Sequence, residues 1–296
     1  MPTGRTWHDR HLGPLFVLPA TLMLVVVLIF PALITLKLSV TPEGKGGLAL
    51  MLVHYRNAFR DPVLLQTFRN TFSFVTFSLL GHLLVGLGLA LALNQALPGQ
   101  TFFRLIALVP WIIPDVIAGI IFRWVFNPIH GSLNPLLRSI FPGFPAEFSW
   151  LSSPTLAFPS LIFANVWRGY PLMMVMLLAG LMAIPRELDE AGLVDGASRL
   201  QIFLRIICPI AVPGTVSTLL FAFLLAWQDL LWALCLVSID EKRTVTLGVA
   251  FLVGEFVIQW PMLTAASLIG SLPTILLYLF LQRYYVEGLA RGAVKG

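Results

Sequence analysis

Of 296 residues, 58% are hydrophobic and only 11% are charged, with a net charge of +5. A soluble domain carries roughly a quarter charged residues, so this chain cannot cover a water-facing surface and is read as an integral membrane protein. The apolar runs are long and unbroken rather than alternating over about ten residues, which excludes a closed barrel and makes the class all-α. The basic residues are scattered over loops and ends without a Lys/Arg cluster, so no nucleic-acid partner is expected.

In chain order, six segments are long enough to cross a bilayer, a length of about 20 residues. They are Leu15–Leu38, Thr71–Leu93, Phe102–Phe126, Thr155–Ile184, Ile210–Val237 and Leu263–Tyr284. The first follows Arg5 and Arg10, is longer than a signal-peptide core of about 7–15 residues, and is read as a retained span. An even number of spans puts both ends on one side of the membrane. The basic residues at the two ends, with Arg186, Arg199 and Arg205 between the fourth and fifth spans, favour placing that side in the cytoplasm. The expected organisation is an N-terminal segment 1–66 with the first span and an external loop, a transmembrane domain 67–285, and a cytoplasmic tail 286–296.

Prolines punctuate the spans: Pro19, Pro31, Pro110, Pro114, Pro159, Pro171, Pro213 and Pro273. Each frees a carbonyl and kinks its helix, which a bundle tolerates where neighbours satisfy the freed group. Gly81, Gly86 and Gly88 on the second span allow close helix approach.

The connection "ELDEAGLVDGASRLQIFLRIICPI", Glu187 to Ile210, is charged and glycine-punctuated between two apolar runs. Pro185 suits the first position of a helix, and Glu187, Asp189 and Glu190 suit its positive end. Gly196 is expected to end that helix with positive φ, and Ser198 to cap a second one. The second helix, Arg199 to Ile207, is expected to put Leu200, Phe203, Leu204 and Ile207 on one face, with Pro209 limiting its continuation. The result is a pair of short helices in a hairpin, a compact knob that needs a partner with a cleft.

Its spacing resembles the EAA loop of binding-protein-dependent ABC importer permeases, E-A-A-x3-G-x9-I-x-L-P. Here it reads Glu190-Ala191-Gly192, three residues, Gly196, nine residues, then Ile206, Ile207, Cys208 and Pro209. Gly192 stands for the second Ala and Cys208 for Leu. The stretch "HYRNAFRDPVLLQTFRNTFSFVTFS", with Asp61-Pro62 and Asn70-Thr71, is similar to the start of the second span in sugar-type permeases. "LVPWIIPDVIAGIIFRWVFNPIHGSLN" resembles the third span of maltose- and glycerol-phosphate-type subunits, and "YYVEGLARGAVKG" resembles the tail of the other subunit type.

The resemblance implies a multi-pass permease of a bacterial or archaeal cytoplasmic membrane. Its implied partners are a second permease subunit, two ATP-binding-cassette ATPase subunits, an extracytoplasmic solute-binding protein and membrane lipid. The chain has no G-x-x-x-x-G-K-[ST], so ATP and Mg are expected on the partner ATPases, with no cofactor or metal bound here. Implied docking residues are Glu190, Ala191, Gly192, Asp195, Gly196, Leu200, Phe203, Ile206 and Pro209.

Polar groups inside a span are costly and usually face a cavity. The candidates for a solute path are Trp111, Asp115, Asn165, Trp167, Arg168, Trp227, Gln228, Asp229 and Trp232, because aromatic faces with amide or carboxylate partners suit a polyhydroxylated solute. The alternative, a secondary transporter or channel using Asp115, Arg168 and Asp229, predicts inverted internal repeats. The sequence shows none, and that reading leaves the EAA spacing unexplained.

Overall fold

The computed structural model describes residues 7–41, 52–95, 98–253 and 259–293, with side chains from 15 to 282. Among them every regular element is helical. The chain divides into two compact units, Met1–Asp61 with Phe251–Ile269, and Pro62–Ala250 with Gly270–Gly296.

In the first unit, α1 (Trp7–Leu24) runs through a π-turn (Val25–Ile29) into α2 (Phe30–Ser39). The stretch Leu15–Ser39 is long and apolar enough to span a bilayer. Its side chains are almost all exposed. The π-turn has a local cause. Pro31 cannot donate backward, and the preceding Phe30 N–H reaches Val25 O, one residue further than α-geometry. At the helix end Ser39 Oγ donates to Leu36 O at 2.7 Å and accepts from Tyr55 OH at 2.7 Å. Tyr55 lies on the short α3 (Val53–Ala58).

The second unit holds α4 (Pro62–Leu93), α5 (Gln100–Ile112), α6 (Asp115–Val125), α7 (Leu133–Ile140) and α8 (Ala157–Met182). The hairpin helices α9 (Glu187–Val194) and α10 (Arg199–Ile202) follow. A π-turn (Phe203–Ile207) then leads into α11 (Cys208–Trp227), α12 (Leu231–Leu236) and α13 (Val245–Ala250). The final helix α14 (Trp260–Ala293) starts in the first unit and ends in the second, and is helical through most of the expected 286–296 tail.

The backbone of this unit is α4 laid along α8. A methyl at Gly86 would sit 2.7 Å from Met173 Cγ and 3.0 Å from the Met174 amide, so the approach needs a residue without Cβ. Gly88, also expected in this seam, faces open space. Ala90, Leu93, Met173, Met174, Leu177 and Leu181 form one buried cluster here. Phe74, Phe122, Phe126, Leu161, Trp227 and Trp232 form another.

Two expected spans are interrupted. The segment Phe102–Phe126 is not one rod: α5 and α6 meet at 91°. Ile113 (φ −73°, ψ 127°) and Pro114 (φ −57°, ψ 141°) are extended, because the ring of Pro114 drives the residue before it out of the α region. Ile210–Val237 likewise stops at Trp227 and resumes as the short α12. Counting the bent pair as one, six segments among the described residues are long and apolar enough to cross a bilayer.

Candidate functional site

Two sites were expected in the second unit, a docking hairpin and a solute path. The hairpin is built by back-to-back capping. α9 ends in a Schellman motif: Ala197 N–H bonds Gly192 O at 3.0 Å and Gly196 N–H bonds Leu193 O at 3.1 Å. Gly196 has φ +79°, the positive value expected there and one that side chains avoid. Two residues later Ser198 opens α10 with a capping box. Gln201 N–H donates to Ser198 Oγ at 3.3 Å, and Ser198 N–H donates to Gln201 Oε1 at 2.8 Å. The carbonyls of Gly192 and Leu193 and the N–H groups of Ser198 and Gln201 thus find partners within a few residues, so the turn of the knob is shaped by its own sequence.

The buried face of the second helix differs from the expected one. Leu200 is 66% exposed and Leu204 56% exposed, while Ile202 is 4% exposed. A methyl at Gly192 would lie 2.9 Å from Ile202 Cγ1, so Gly192 is where α10 rests on α9. That contact sets the rotation of α10 and turns Leu200 outward. It also explains why Gly replaces Ala here. Phe203 lines an apolar pocket with Leu83, Leu87 and Leu181. Ile206 is half-buried, and Glu190, Ala191, Asp195 and Pro209 are exposed. Val194, 87% exposed, joins Leu200 and Leu204 as apolar surface on the knob, and sequence reasoning passed over it. Pro209 does not end the helix. The Cys208 N–H reaches back to Phe203 O in a π-turn, and the rod continues unbroken from Arg199 to Trp227.

Seven of the nine solute-path candidates converge on one cavity of about 430 Å³. Trp111, Asp115, Asn165, Arg168, Gln228, Asp229 and Trp232 line it, and so do His82 and Gly169. Both helix breaks open onto it: Trp111 and Asp115 flank the α5–α6 bend, and Gln228 and Asp229 occupy the gap after α11. Irregular backbone at this depth is tolerated where it lines a cavity. Arg168 Nε lies 2.8 Å from Asp115 Oδ1, an ion pair not aligned as a hydrogen bond. Asp229 Oδ1 accepts from the Trp232 N–H at 3.1 Å, capping the start of α12. Asp229 O accepts from Thr246 Oγ1 at 2.6 Å.

Trp167 and Trp227 are not on this wall. Trp167 packs edge-on against Phe122, with centroids 5.1 Å apart. Trp227 is 3% exposed, stacks on Phe223 at 5.4 Å, and donates its Nε1–H to Gly270 O at 2.9 Å. Both are packing residues of the aromatic core. His82 was missed because a lone histidine in an apolar run has no spacing signal; only the fold brings it against Gly169 and Asn165.

Residues 82–286 match the family described as binding-protein-dependent transport system inner membrane component. The sulfoquinovosyl glycerol transport system permease protein SmoG of Agrobacterium fabrum is 34% identical over 236 residues, 77% of this chain and 75% of that one. The trehalose/maltose transport system permease protein MalF of Thermococcus litoralis is 33% identical over 217 residues, 72% of each chain. In fold, a chain of a bacterial alginate ABC transporter, crystallised with an alginate pentasaccharide-bound periplasmic protein, superposes with a TM-score of 0.77 at 21% identity. That match covers 93% of this chain and 94% of the other. With more than half its length matched and two relatives above 30% identity, this chain belongs to the family of binding-protein-dependent transport system inner membrane components.

Proposed function

We propose that this ABC importer permease subunit carries a sugar or related polyhydroxylated solute through the cavity around Asn165 and Gln228, driven by ATPase subunits that dock on the 185–209 hairpin. In this reading the hairpin and both chain ends are cytoplasmic, and ATP and Mg sit on the two ATPases. A second permease completes the path, and an extracytoplasmic binding protein delivers solute to the opposite face.

One observation carries it: two long helices, one of them continuous with the hairpin and one joined to it by a short turn, connect the hairpin to the cavity. α8 holds Arg168 about 20 Å along its axis from the end at Met182, and is joined to α9 by the four-residue turn 183–186. The continuous helix Arg199–Trp227 leaves the hairpin and ends beside Gln228 and Asp229. A displacement of the knob therefore moves two walls of the cavity together. ATP-driven closure of the ATPases would pull the knob and switch the cavity between faces, a rigid-body alternation powered by differential contact. The exposed Val194 and Leu200 supply apolar contact, and Glu190 supplies charge. The relatives named for sulfoquinovosyl glycerol and for trehalose and maltose support a glycosidic solute.

The test is Gly196→Leu and Glu190→Lys in the assembled importer. Gly196→Leu forces a side chain into φ +79°. Glu190→Lys reverses a charge at the docking face, where like-charge contact costs several kcal/mol. Both chains should reach the membrane at normal levels yet lose co-purifying ATPase or solute-stimulated hydrolysis. Full stimulated hydrolysis and uptake in both variants would remove the docking role.

A further inference from the structure

The hairpin lies at the C-terminal end of α8; the short helix α7 (Leu133–Ile140) lies before the other end. α7 is tied down by one buried residue. Asn134 Nδ2 donates to Pro128 O at 3.1 Å and to Phe148 O at 3.0 Å, and Asn134 Oδ1 accepts from Trp150 Nε1 at 2.7 Å. Trp150 stacks on Phe144 with centroids 5.9 Å apart. Leu133 packs against the aromatic core. One side of α7 is thus fixed to the loop that leads into α8.

The rest of the helix surface faces outward and is divided by polarity. Leu136 is 58% exposed and Ile140 61% exposed, and the exposed Phe141 follows them. Arg138 and Ser139 are exposed as well. At about 100° per residue, Leu136 and Ile140 lie about 40° apart, and Arg138 lies about 160° from each. An apolar edge opposite a basic one is the pattern of a helix lying in the plane of a membrane interface.

The depth of α7 agrees with that pattern. The 26 residues of α8 are about 39 Å long at 1.5 Å per residue, more than a hydrocarbon core of about 30 Å. With α8 centred in the bilayer, its first turn reaches the headgroups. Leu151, in the loop tied to Asn134, shares a buried cluster with Leu161 and Phe126 near that end. At the start of α7, a methyl on Gly131 would lie 2.7 Å from the Trp124 carbonyl, and the exposed Trp124 ring suits the aromatic belt of an interface. A protein partner arriving from water would leave Leu136 and Ile140 wetted whenever it was unbound. Lipid covers them at all times.

Going beyond the docking and solute-path readings, we infer that α7 is an interfacial anchor in the leaflet opposite the hairpin. Leu136, Ile140 and Phe141 enter the upper acyl chains, and Arg138 points toward lipid phosphate and water. The anchor holds the connection between α6 and α8 at one depth.

The experiment places a nitroxide on Leu136→Cys, Ile140→Cys, Arg138→Cys or Ser139→Cys in the whole importer, in nanodiscs of phosphatidylcholine and phosphatidylglycerol. These side chains are exposed, so the exchanges remove no core packing. Wild type carried through the same labelling gives the background from Cys208 and Cys235, both half-buried. Power-saturation EPR compares relaxation by oxygen, which concentrates in the bilayer, with relaxation by a water-soluble nickel chelate. The ratio of oxygen to nickel effect should exceed unity at 136 and 140 and fall below unity at 138 and 139. Adding the binding protein should leave the values at 136 and 140 unchanged. A nickel-dominated signal at 136 and 140 would make this face aqueous and overturn the anchor. Exclusion of both relaxants there would put it against the second permease, and protection that appears only with the binding protein would make it a docking surface. Either result also overturns the anchor. The readout uses neither solute nor ATP, so it stands or falls apart from the docking and solute-path readings.

Discussion

The hydroxyl of Thr71 accepts a hydrogen bond from the backbone N–H of Val245 at 2.7 Å, joining residues 174 positions apart in the chain. Beside it, Asn70 Nδ2 donates to the carbonyls of Glu241 and Arg243 at 2.7 and 2.9 Å. Together they pin the start of α13 to α4. Thr246, one residue on, holds the Asp229 carbonyl at the cavity. The Asn-Thr pair is therefore an anchor for the cavity wall, one hydrogen bond removed from it.

Thr71→Val should expose the strength of that anchor. The substitution keeps the volume but leaves the Val245 N–H buried without a partner, at a cost of about 1–3 kcal/mol. The purified importer should melt at lower temperature, and Thr71→Ser should recover the loss. Equal melting of Thr71→Val and wild type would mean the contact is replaced by water.

The sequence signals that proved readable were local ones. Gly196 and Ser198 announced the hairpin turn, and the structure shows the Schellman motif and capping box there. Apolar length announced the spans. Pro114 also carried the signal for a break, since it restrains Ile113, yet the apolar run around it masked the 91° bend. Pro209 misled in the opposite direction, because a π-turn absorbs the missing donor and the helix continues. The failures at Leu200 and Ile202, and at Trp227 and His82, share one cause. Helical periodicity gives spacing along a face, while the rotation of that face is set by long-range contacts such as Gly192 with Ile202 and Trp227 with Gly270.

Gly192→Ala tests the first of those contacts. The added methyl meets Ile202 Cγ1 at 2.9 Å, so α10 must shift or Ile202 must leave its rotamer. Overpacking of this kind costs about 1–3 kcal/mol. ATPase affinity should fall several-fold in co-purification, and Gly192→Ala with Ile202→Val should recover part of it. Additive losses in the double variant would show that the two residues do not meet.

Membrane sidedness is tested by cysteine labelling in intact cells. Ser198 caps α10 in the hairpin, and Ser132 precedes α7 before the start of α8, so the 26 residues of α8 separate the two. A membrane-impermeant maleimide should label cysteines at 132 and 240 and leave those at 198 and 292 unmodified until the membrane is opened. Labelling of position 198 from outside would invert the chain and remove the docking role with it.

Trp227 and Gln228 are neighbours with opposite duties, and paired substitutions separate them. Trp227 is 3% exposed and fixed by the Gly270 carbonyl, with Phe72 edge-on at 5.0 Å. Trp227→Phe loses that hydrogen bond and part of the ring volume, together about 1–3 kcal/mol. The importer should melt earlier while the apparent affinity for solute in reconstituted uptake stays within about twofold. Gln228 is exposed on the cavity wall. Gln228→Ala removes no packing, so melting should be unchanged, while apparent affinity should weaken by up to about tenfold through a lost hydrogen bond to solute. The contrast rests on the helix break directly after Trp227, which turns one residue into the aromatic core and the next into the cavity. A Gln228→Ala importer with wild-type kinetics, beside a Trp227→Phe importer with altered affinity, would reverse the assignment and place the solute path on the aromatic side of α11.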